Sequence, residues 1–311
     1  MSEEELFNID NLSPFKTWNF TSFLLPQPSS GTEAHKNTLA LDLDETLIFA
    51  STVPIKNADA VITVHVPPTS SSADEPNNSE DHSATVPLPS TPNSYRLYIR
   101  YRPFLREFLQ YVIQHYEVII FTASRYYYCG AILKQMEQDF PNLRFMKPGA
   151  DAVKLNRTAE TEKQYVTVLH RNHCTPTNAG YIKDLHLLGR SLKRTVLIDN
   201  NAVCGAFQPY NSLLIKDYVG EVDTTSAEAA NDTAASLLKE VKGYNANQAP
   251  STEFKDSRSD DTVLKDLIRP GGLMECLSTT DDIPFTLTKT MEYNILIGKS
   301  TQIGGPIRKE N

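Results

Sequence analysis

Short apolar runs alternate with amphipathic stretches along most of this chain. Runs such as TLALDLD (38–44) are typical of strands buried on both faces of a parallel sheet. In 103–116, apolar residues recur at helical spacing and place Phe108 and Val112 on one face. Further strands are predicted at 117–123, 166–170, 195–199 and 212–218, and further helices at 126–140, 183–190, 226–243 and 261–268. Strands alternating with helices predict an α/β fold, in which helices flank a parallel sheet.

Two other segments alternate apolar and polar residues with a period of two. These segments, 61–66 and 94–101, are predicted to form the strands of a β-hairpin. The stretch between them, 67–94, is rich in Ser and Pro, and its Asp and Glu residues have no Lys or Arg to balance them. Such a segment buries too little surface to offset its chain entropy, so we expect a disordered insert. A phosphorylated or docking loop is the alternative interpretation.

The pattern divides the 311 residues into an N-terminal extension (1–37), one domain (38–243) and a C-terminal tail (244–311). The extension carries an apolar patch that we expect to lie against the domain, formed by Phe15, Trp18, Phe20 and Phe23. The tail contains one apolar helical segment with Val263, Leu264, Leu267 and Ile268. This segment fits two interpretations equally well, which are docking on a partner and folding back onto the domain.

Composition and charge narrow the range of functions. The net charge of −8 argues against direct, sequence-independent binding of nucleic acid, which needs a basic surface. No run of 18 apolar residues is present, so we expect no membrane-spanning helix. The four cysteines form no CxxC pair, which is typical of reduced thiols in the cytoplasm or nucleus. The acidic N-terminus has neither a secretory nor a mitochondrial targeting pattern, so we predict a nuclear or cytoplasmic protein that is not secreted.

Residues with suitable chemistry follow several predicted strands. Because the carboxyl ends of parallel strands form one edge of a sheet, such residues are expected to meet there. The set consists of Asp42, Asp44, Thr122, Asp199 and Asn200, together with Lys183 near a predicted helix start. In an extended chain, residues two apart project to the same side, so Asp42 and Asp44 are expected to face one site. One carboxylate can attack an electrophile while the other transfers a proton.

Two carboxylates this close repel each other unless a cation lies between them. Oxygen ligands without His or Cys nearby favour Mg²⁺, and Asp199 and Asn200 add further oxygens to such a site. Lys183 and Thr122 add a positive charge and a hydroxyl donor for phosphate oxygens. These residues together predict phosphoryl transfer.

The segment DLDETLIFAS (42–51) closely resembles the DxDxT signature of the haloacid dehalogenase superfamily, in the form found in the FCP/SCP protein phosphatases. Those enzymes dephosphorylate the C-terminal domain of RNA polymerase II or other phosphoproteins. Five further segments resemble motifs of that family, at 99–109, 116–124, 169–174, 180–190 and 196–201. The resemblance covers about residues 38–243 and implies a haloacid dehalogenase-like sheet with a small hairpin insert and no large cap.

The resemblance implies a role for each matching residue. Asp42 would be the nucleophile that forms an aspartyl-phosphate, and Asp44 would be the acid–base group. The implied Mg²⁺ ligands are Asp42, Asp44, Asn200 and Asp199. The implied phosphate-binding residues are Thr46, Thr122, Ala123, Lys183 and Arg102, with Thr46 also orienting the nucleophile loop. The implied activity is Mg²⁺-dependent dephosphorylation of serine or threonine in a phosphoprotein, for which the polymerase C-terminal domain is one candidate.

Two other functions remain open at this stage. One is a non-catalytic scaffold, similar to the mitochondrial translocase receptor that shares this fold. The other is a phosphatase of small metabolites, in which residues 53–98 would fold into a small cap. The chain also departs from the family pattern, with Gly130 in place of a common acidic residue and with the expanded segment 67–94. These departures affect the prediction of the substrate more than the prediction of the chemistry.

The cluster of His170, His173 and Cys174 is a weaker candidate. It has no second pair of ligands for zinc and no third group that would orient a cysteine nucleophile. We therefore expect no role in catalysis for it.

Overall fold

A computed structural model describes residues 23–26, 36–67, 94–148, 164–222, 232–243 and 261–289. Most of the predicted disordered insert and the aromatic residues Phe15, Trp18 and Phe20 of the predicted N-terminal patch lie outside these residues. The strands are β1 Asn37–Leu41, β2 Ile48–Ser51, β3 Ala60–His65, β4 Ser94–Tyr101, β5 Tyr116–Phe121, β6 Leu143–Met146, β7 Gln164–Leu169, β8 Thr175–Thr177, β9 Gly180–Ile182, β10 Thr195–Asp199 and β11 Ser212–Leu214. The helices are α1 Leu105–His115, α2 Tyr126–Asp139, α3 Asp232–Lys242, α4 Val263–Leu267, α5 Leu273–Thr279 and α6 Ile283–Lys289.

Six strands form the main sheet in the order β11-β10-β1-β5-β7-β6, and every neighbouring pair is parallel. β1 lies near the middle and is buried along its whole length, as its continuous apolar sequence predicts. Leu41 of β1 is in register with Ile198 of β10 on one side and with Ile120 of β5 on the other. The carboxyl ends of these three strands therefore lie side by side. This arrangement confirms the predicted α/β fold.

A smaller antiparallel sheet has the order β2-β4-β3. β3 pairs with β4 in antiparallel orientation, and buried and exposed residues alternate along β4. The hairpin predicted for 61–66 and 94–101 is therefore confirmed. β2 was not predicted, because it begins two residues after Thr46 with no turn signal in between. β8 and β9 form a short separate hairpin that was also not predicted. No large cap is present among the described residues of the predicted insert region.

Two predicted elements are shorter in the structure than in the prediction. Segment 183–190 contains only a 3₁₀ turn at Leu185–Leu188, which begins where the Asp184 side chain accepts the His186 N–H. It ends at Gly189, whose positive φ of 69° breaks a right-handed helix. The strand predicted at 212–218 pairs only as far as Leu214. Among the described residues, no helix is both long enough and apolar enough to cross a membrane.

The C-terminal segment 261–289 packs against the main core. Leu264, Met274 and Leu277 are buried together with residues of β1 and α1. The Asn37 side-chain amide, at the start of β1, donates to the Leu277 carbonyl oxygen at 2.7 Å and to the Thr280 carbonyl oxygen at 2.8 Å. The apolar helix of the predicted tail therefore folds back onto the domain, which decides between the two interpretations left open above.

The described residues of the N-terminal extension also contact the domain. Leu25 is buried against the 3₁₀ turn at Leu185–Leu188. The Leu24 N–H donates to the Leu187 carbonyl oxygen at 2.8 Å. Phe23 is more than half exposed. The extension therefore lies against the core at 24–25, but Phe23, the described residue of the predicted patch, is not buried there, and the prediction for the other patch residues stays a prediction.

Candidate active site

One cavity opens at the carboxyl ends of β1, β5 and β10. The Asp42 N–H donates to the Ile198 carbonyl oxygen at 3.0 Å, so the chain leaves β1 still paired with β10. The Thr122 N–H donates to the Leu169 carbonyl oxygen at 3.0 Å and fixes the end of β5 in the same way. The cavity is lined by Asp42, Asp44, Thr122, Ala123, Tyr181, Asp199, Asn200, Asn201, Cys204, Lys242 and Gly243. Six of the predicted site residues therefore meet at one wall.

Lys183 lies directly behind this wall and contacts two of its carboxylates. It is the first residue after β9, and its ammonium donates to Asp42 Oδ1 at 2.5 Å and to Asp199 Oδ2 at 2.6 Å. Burial opposes the charge on Lys183, but Asp199 and Asp42 outweigh it and hold the pKa of Lys183 well above its usual value. A permanently charged ammonium is thus fixed beside the predicted nucleophile.

The two oxygens of Asp44 each accept a short hydrogen bond. Ser124 Oγ donates to Oδ2 at 2.5 Å, and Tyr128 Oη donates to Oδ1 at 2.6 Å. Burial and the neighbouring Asp44 charge raise the pKa of Tyr128 well above its usual value, so Tyr128 remains a donor. Ser124 and Tyr128 were not among the predicted site residues. Ser124 precedes α2, which begins at Tyr126, so the two residues do not share a helix face and no local pattern in the sequence identified them.

Thr46 and Arg102 lie behind the cavity rather than in it. Thr46 Oγ1 donates to Asn200 Oδ1 at 3.1 Å, which joins the nucleophile loop to the loop after β10. Arg102 Nη1 donates to the Thr46 carbonyl oxygen at 3.0 Å, and its Nε and Nη2 donate to Asp261 at 3.2 and 3.0 Å. Nη2 also donates to the Lys216 carbonyl oxygen. The Arg102 donors are thus bonded to Asp261 and to two backbone carbonyl oxygens away from the cavity lining, which favours a bracing role over the expected binding of phosphate.

Lys242 is a cavity residue that the sequence analysis missed. It lies at the end of α3, and its ammonium donates to Glu45 Oε1 at 2.7 Å and to the Ala50 carbonyl oxygen at 2.9 Å. The same nitrogen lies 3.7 Å from Asp44 Oδ1. A lysine at the end of an alanine-rich helix is ordinarily solvated, so no local sequence signal pointed to this position.

The charges around the cavity fit a divalent cation. Four buried carboxylates surround two buried ammonium groups, the six residues being Asp42, Asp44, Glu45, Asp199, Lys183 and Lys242. Two negative charges are therefore left over when all six groups are ionised. Burial, together with Asp199 and Asp44, raises the pKa of Asp42 against the attraction of Lys183. A further positive charge would thus favour the ionised form that a nucleophile requires.

The donor chemistry around the cavity also fits Mg²⁺. Asp42, Asp44, Asp199 and Asn200 offer oxygen atoms, and Mg²⁺ ordinarily combines one or two carboxylates with water. The part of the chain that the structure describes contains no group of three His, Cys, Asp or Glu side chains arranged to hold a metal ion by themselves. The residues present therefore fit a cation that keeps several water ligands, and not an all-protein metal cage.

The histidine and cysteine cluster has no catalytic arrangement. Burial raises the pKa of Cys174 to about 12, so its thiol is a poor nucleophile at neutral pH. Burial likewise lowers the pKa of His170 to about 3, which keeps its imidazole neutral. The Cys174 thiol contacts the Thr122 carbonyl oxygen. These observations agree with the expectation that the cluster takes no part in catalysis.

A parallel α/β domain with an aspartate pair after a central strand and a buried lysine beside the first aspartate is the arrangement that the resemblance to the haloacid dehalogenase-like phosphatases implied. The family model of the NLI interacting factor-like phosphatases matches residues 37–249, and the chain belongs to this family.

Named relatives come from several organisms. The chain is 30% identical over 202 residues to "CTD small phosphatase-like protein 1" of Caenorhabditis elegans, which covers 65% of this chain and 30% of that protein. It is 27% identical over 203 residues to the human "Carboxy-terminal domain RNA polymerase II polypeptide A small phosphatase 1", which covers 65% of this chain and 59% of that protein. The chain thus matches less than two thirds of each relative's length.

A solved structure titled "The Structure of Fcp1, an essential RNA polymerase II CTD phosphatase" aligns with 66% of this chain and 50% of that chain. Its TM-score is 0.38 and its sequence identity is 17%. The description of the fold therefore rests on the strand order and register given above.

Proposed function

We propose that this protein is a Mg²⁺-dependent phosphatase that removes phosphate from serine or threonine side chains of proteins through an aspartyl-phosphate intermediate. The observation that carries this proposal is the contact between Asp42 and Lys183 at 2.5 Å, at a cavity that also contains Thr122. A carboxylate fixed beside a buried ammonium and a hydroxyl donor is suited to attack a phosphorus atom and to bind the phosphoryl oxygens.

In the first step, an Asp42 carboxylate oxygen forms a bond to phosphorus, and the bond between phosphorus and the substrate oxygen breaks. Asp44 donates a proton to the departing oxygen. The Thr122 hydroxyl, the Ala123 N–H and the Lys183 ammonium lie at or directly behind the cavity wall and donate hydrogen bonds to the phosphoryl oxygens. Bound Mg²⁺, held by oxygens of Asp42, Asp44, Asp199 and Asn200, would supply additional positive charge for these oxygens.

In the second step, Asp44 removes a proton from a water molecule, whose oxygen attacks phosphorus. The bond from phosphorus to Asp42 breaks, which regenerates the free carboxylate and releases inorganic phosphate. The hydrogen bonds from Ser124 and Tyr128 hold the Asp44 carboxylate in place for both proton transfers. The same group therefore acts first as an acid and then as a base.

A phosphorylated side chain on a protein is the proposed substrate class. The described residues of the segment 53–98, which would form a cap over a small metabolite, contribute β3 and most of β4 to a small antiparallel sheet. Both named relatives are called small phosphatases, and the name of the human one refers to RNA polymerase II. We therefore propose an extended phosphopeptide such as the polymerase C-terminal domain as the substrate, in the nucleus or cytoplasm and without direct nucleic-acid binding.

Replacing Asp42 with Asn tests the chemistry. Asp42→Asn removes the nucleophile, so turnover of an aryl phosphate should fall to background while the circular dichroism spectrum stays unchanged. Borohydride reduction of the wild-type enzyme during turnover should convert the phosphorylated aspartate to homoserine, and mass spectrometry of peptides should locate it at position 42. Asp281→Asn, at an exposed carboxylate, is the matched control and should keep wild-type turnover. Wild-type turnover by Asp42→Asn would refute the proposed mechanism.

A phosphopeptide array tests the substrate class. It should include polymerase C-terminal-domain repeats and be run with Mg²⁺ and after chelation. Phosphate release that requires Mg²⁺ supports the proposal. If no phosphopeptide reacts while aryl and sugar phosphates do, the small-metabolite alternative replaces it. A chain that is inactive on every substrate would instead favour the non-catalytic scaffold.

A further inference from the structure

The end of helix α3 contacts two parts of the proposed active site, the loop after β5 and the nucleophile loop between β1 and β2. Arg171 Nη2 donates to the Val241 carbonyl oxygen at 2.8 Å, near the end of α3, and Arg171 Nε donates to the Ala123 carbonyl oxygen at 2.9 Å. Gly243 has a φ of 85°, and a Cβ there would lie 2.9 Å from the Ala123 carbonyl oxygen. The end of α3 is therefore fixed against the phosphate-binding loop after β5. From this fixed position, Lys242 reaches the nucleophile loop.

We propose that Lys242 is a positioning residue that holds the acid–base carboxylate of Asp44 in its working place. This inference rests on the proposed phosphatase function. The Lys242 ammonium binds Glu45, the residue that directly follows Asp44, and also the Ala50 carbonyl oxygen in β2. The lysine side chain is 5% exposed, so these contacts are shielded from solvent.

The backbone of Glu45 explains why an anchor is needed at this point. Glu45 has a φ of 56°, in the left-handed region that residues with a side chain adopt at a cost in free energy. Such a conformation persists when the surrounding contacts hold it. The Glu45 N–H donates to the Ile48 carbonyl oxygen, its own carbonyl accepts from Tyr218, and its side chain is held by Lys242. Lys242 thereby stabilises the turn from which the Asp44 side chain projects.

Charge gives Lys242 a second part in this positioning. The carboxylates of Asp44 and Glu45 belong to consecutive buried residues and repel each other when both are ionised. The Lys242 ammonium lies 3.7 Å from the first and 2.7 Å from the second. Without this positive charge, the repulsion would displace the Asp44 carboxylate from Ser124 and Tyr128. The Asp44 carboxyl group would then no longer be positioned to donate a proton to the departing oxygen.

The test compares two substrates that differ in how much they need a proton. The serine side chain of a phosphoserine peptide leaves as a basic alkoxide and needs a proton from Asp44. Dinitrophenolate is a weak base and leaves readily without that proton. Lys242→Met should lower kcat/KM for a phosphoserine peptide about 10-fold or more, while kcat/KM for dinitrophenyl phosphate falls less than about 3-fold. The ratio kcat/KM is the quantity to compare, because it reports formation of the aspartyl-phosphate and not its hydrolysis, in which Asp44 acts for both substrates alike. Lys242→Arg keeps the charge and should restore part of the lost kcat/KM.

Two results would overturn the inference. One is wild-type kcat/KM of Lys242→Met for the phosphoserine peptide. The other is an equal loss of kcat/KM for both substrates, which would indicate a purely structural role. If Lys242→Met alone fails to fold, the double variant Lys242→Met/Glu45→Gln removes the uncompensated buried carboxylate and should fold. It should show a smaller but still selective loss, because Glu45→Gln removes the repulsion of Asp44 and leaves only the missing Lys242 anchor. Asp42→Asn, measured in parallel, separates this inference from the proposed function, because it should be inactive on both substrates.

Discussion

Two buried ion clusters contact the nucleophile loop and differ in their surroundings. In the first, Lys183 contacts Asp42 and Asp199 at the wall of an open cavity. In the second, Arg102 contacts Asp261 and also donates to the carbonyl oxygens of two loops. Each cluster joins distant parts of the chain and is shielded from solvent. The comparison shows that the surroundings of a buried charge decide its role. A charge beside a cavity can bind a substrate, whereas a charge bonded to backbone carbonyl oxygens holds loops together.

Replacing Lys183 should give the largest effect on activity. Lys183→Met removes the ammonium that stabilises negative charge on the phosphoryl oxygens, so kcat should fall about 10³-fold. The measurement is steady-state hydrolysis of an aryl phosphate, combined with urea unfolding to show that the variant is folded. A folded variant within about 10-fold of wild-type kcat would remove the catalytic role assigned to the first cluster.

Replacing Arg102 should instead affect stability first. Arg102→Met leaves Asp261 buried without its partner and removes donors from the Thr46 and Lys216 carbonyl oxygens. The free energy of unfolding should fall by about 3–5 kcal/mol, as measured by urea denaturation. The fraction that stays folded should keep kcat within about 10-fold of wild type, because Arg102 does not line the cavity.

The double variant Arg102→Met/Asp261→Leu removes both charges and serves as the control for this prediction. It should recover part of the lost stability, because no uncompensated charge remains buried. If Arg102→Met loses kcat as strongly as Lys183→Met while remaining fully folded, the distinction between the two clusters fails.

An exposed ion pair should show the smallest effect. Lys193 contacts Asp282 at 3.2 Å, and the lysine side chain is 73% exposed. Lys193→Met should change the free energy of unfolding by less than about 1 kcal/mol and leave kcat unchanged, because water and salt screen such pairs. The same assays apply. A large loss of stability or of kcat would show that burial does not explain the difference between this pair and the ion pairs of Lys183 and Arg102.

The fold and the centre of the site could be predicted from the sequence because they depend on short-range patterns. Most strands of the main sheet are compact apolar runs, and parallel pairing brings the strand ends together. Asp42, Thr122 and Asp199 could therefore be assigned to one site from their places directly after or at the end of such runs. β6, at the edge of the sheet, was not predicted, because its four residues include Arg144. The same logic explains why β2 was missed, since four buried residues after a tight turn carry no separate signal.

Residues whose contacts depend on partners far away in the sequence could not be assigned in this way. The family resemblance implied that Arg102 binds phosphate, but its contacts depend on Asp261, 159 positions later in the chain. Lys242 and Glu45 are 197 positions apart, and nothing near either residue specifies that contact. Both contacts are set by how the C-terminal elements pack on the sheet. Local periodicity contains no information about such packing.

The contacts made by the segment 261–289 also have a consequence for biosynthesis. Asn37 begins a central strand, yet its side chain is satisfied by a carbonyl oxygen 240 positions later. A ribosome therefore releases β1 long before it releases the partners that complete the packing around it. Contacts between such distant positions slow folding and leave apolar surface exposed in the meantime. The nascent chain thus acquires its brace on the nucleophile loop only when Asp261 emerges, so it cannot assemble the complete site before synthesis of the domain is nearly finished.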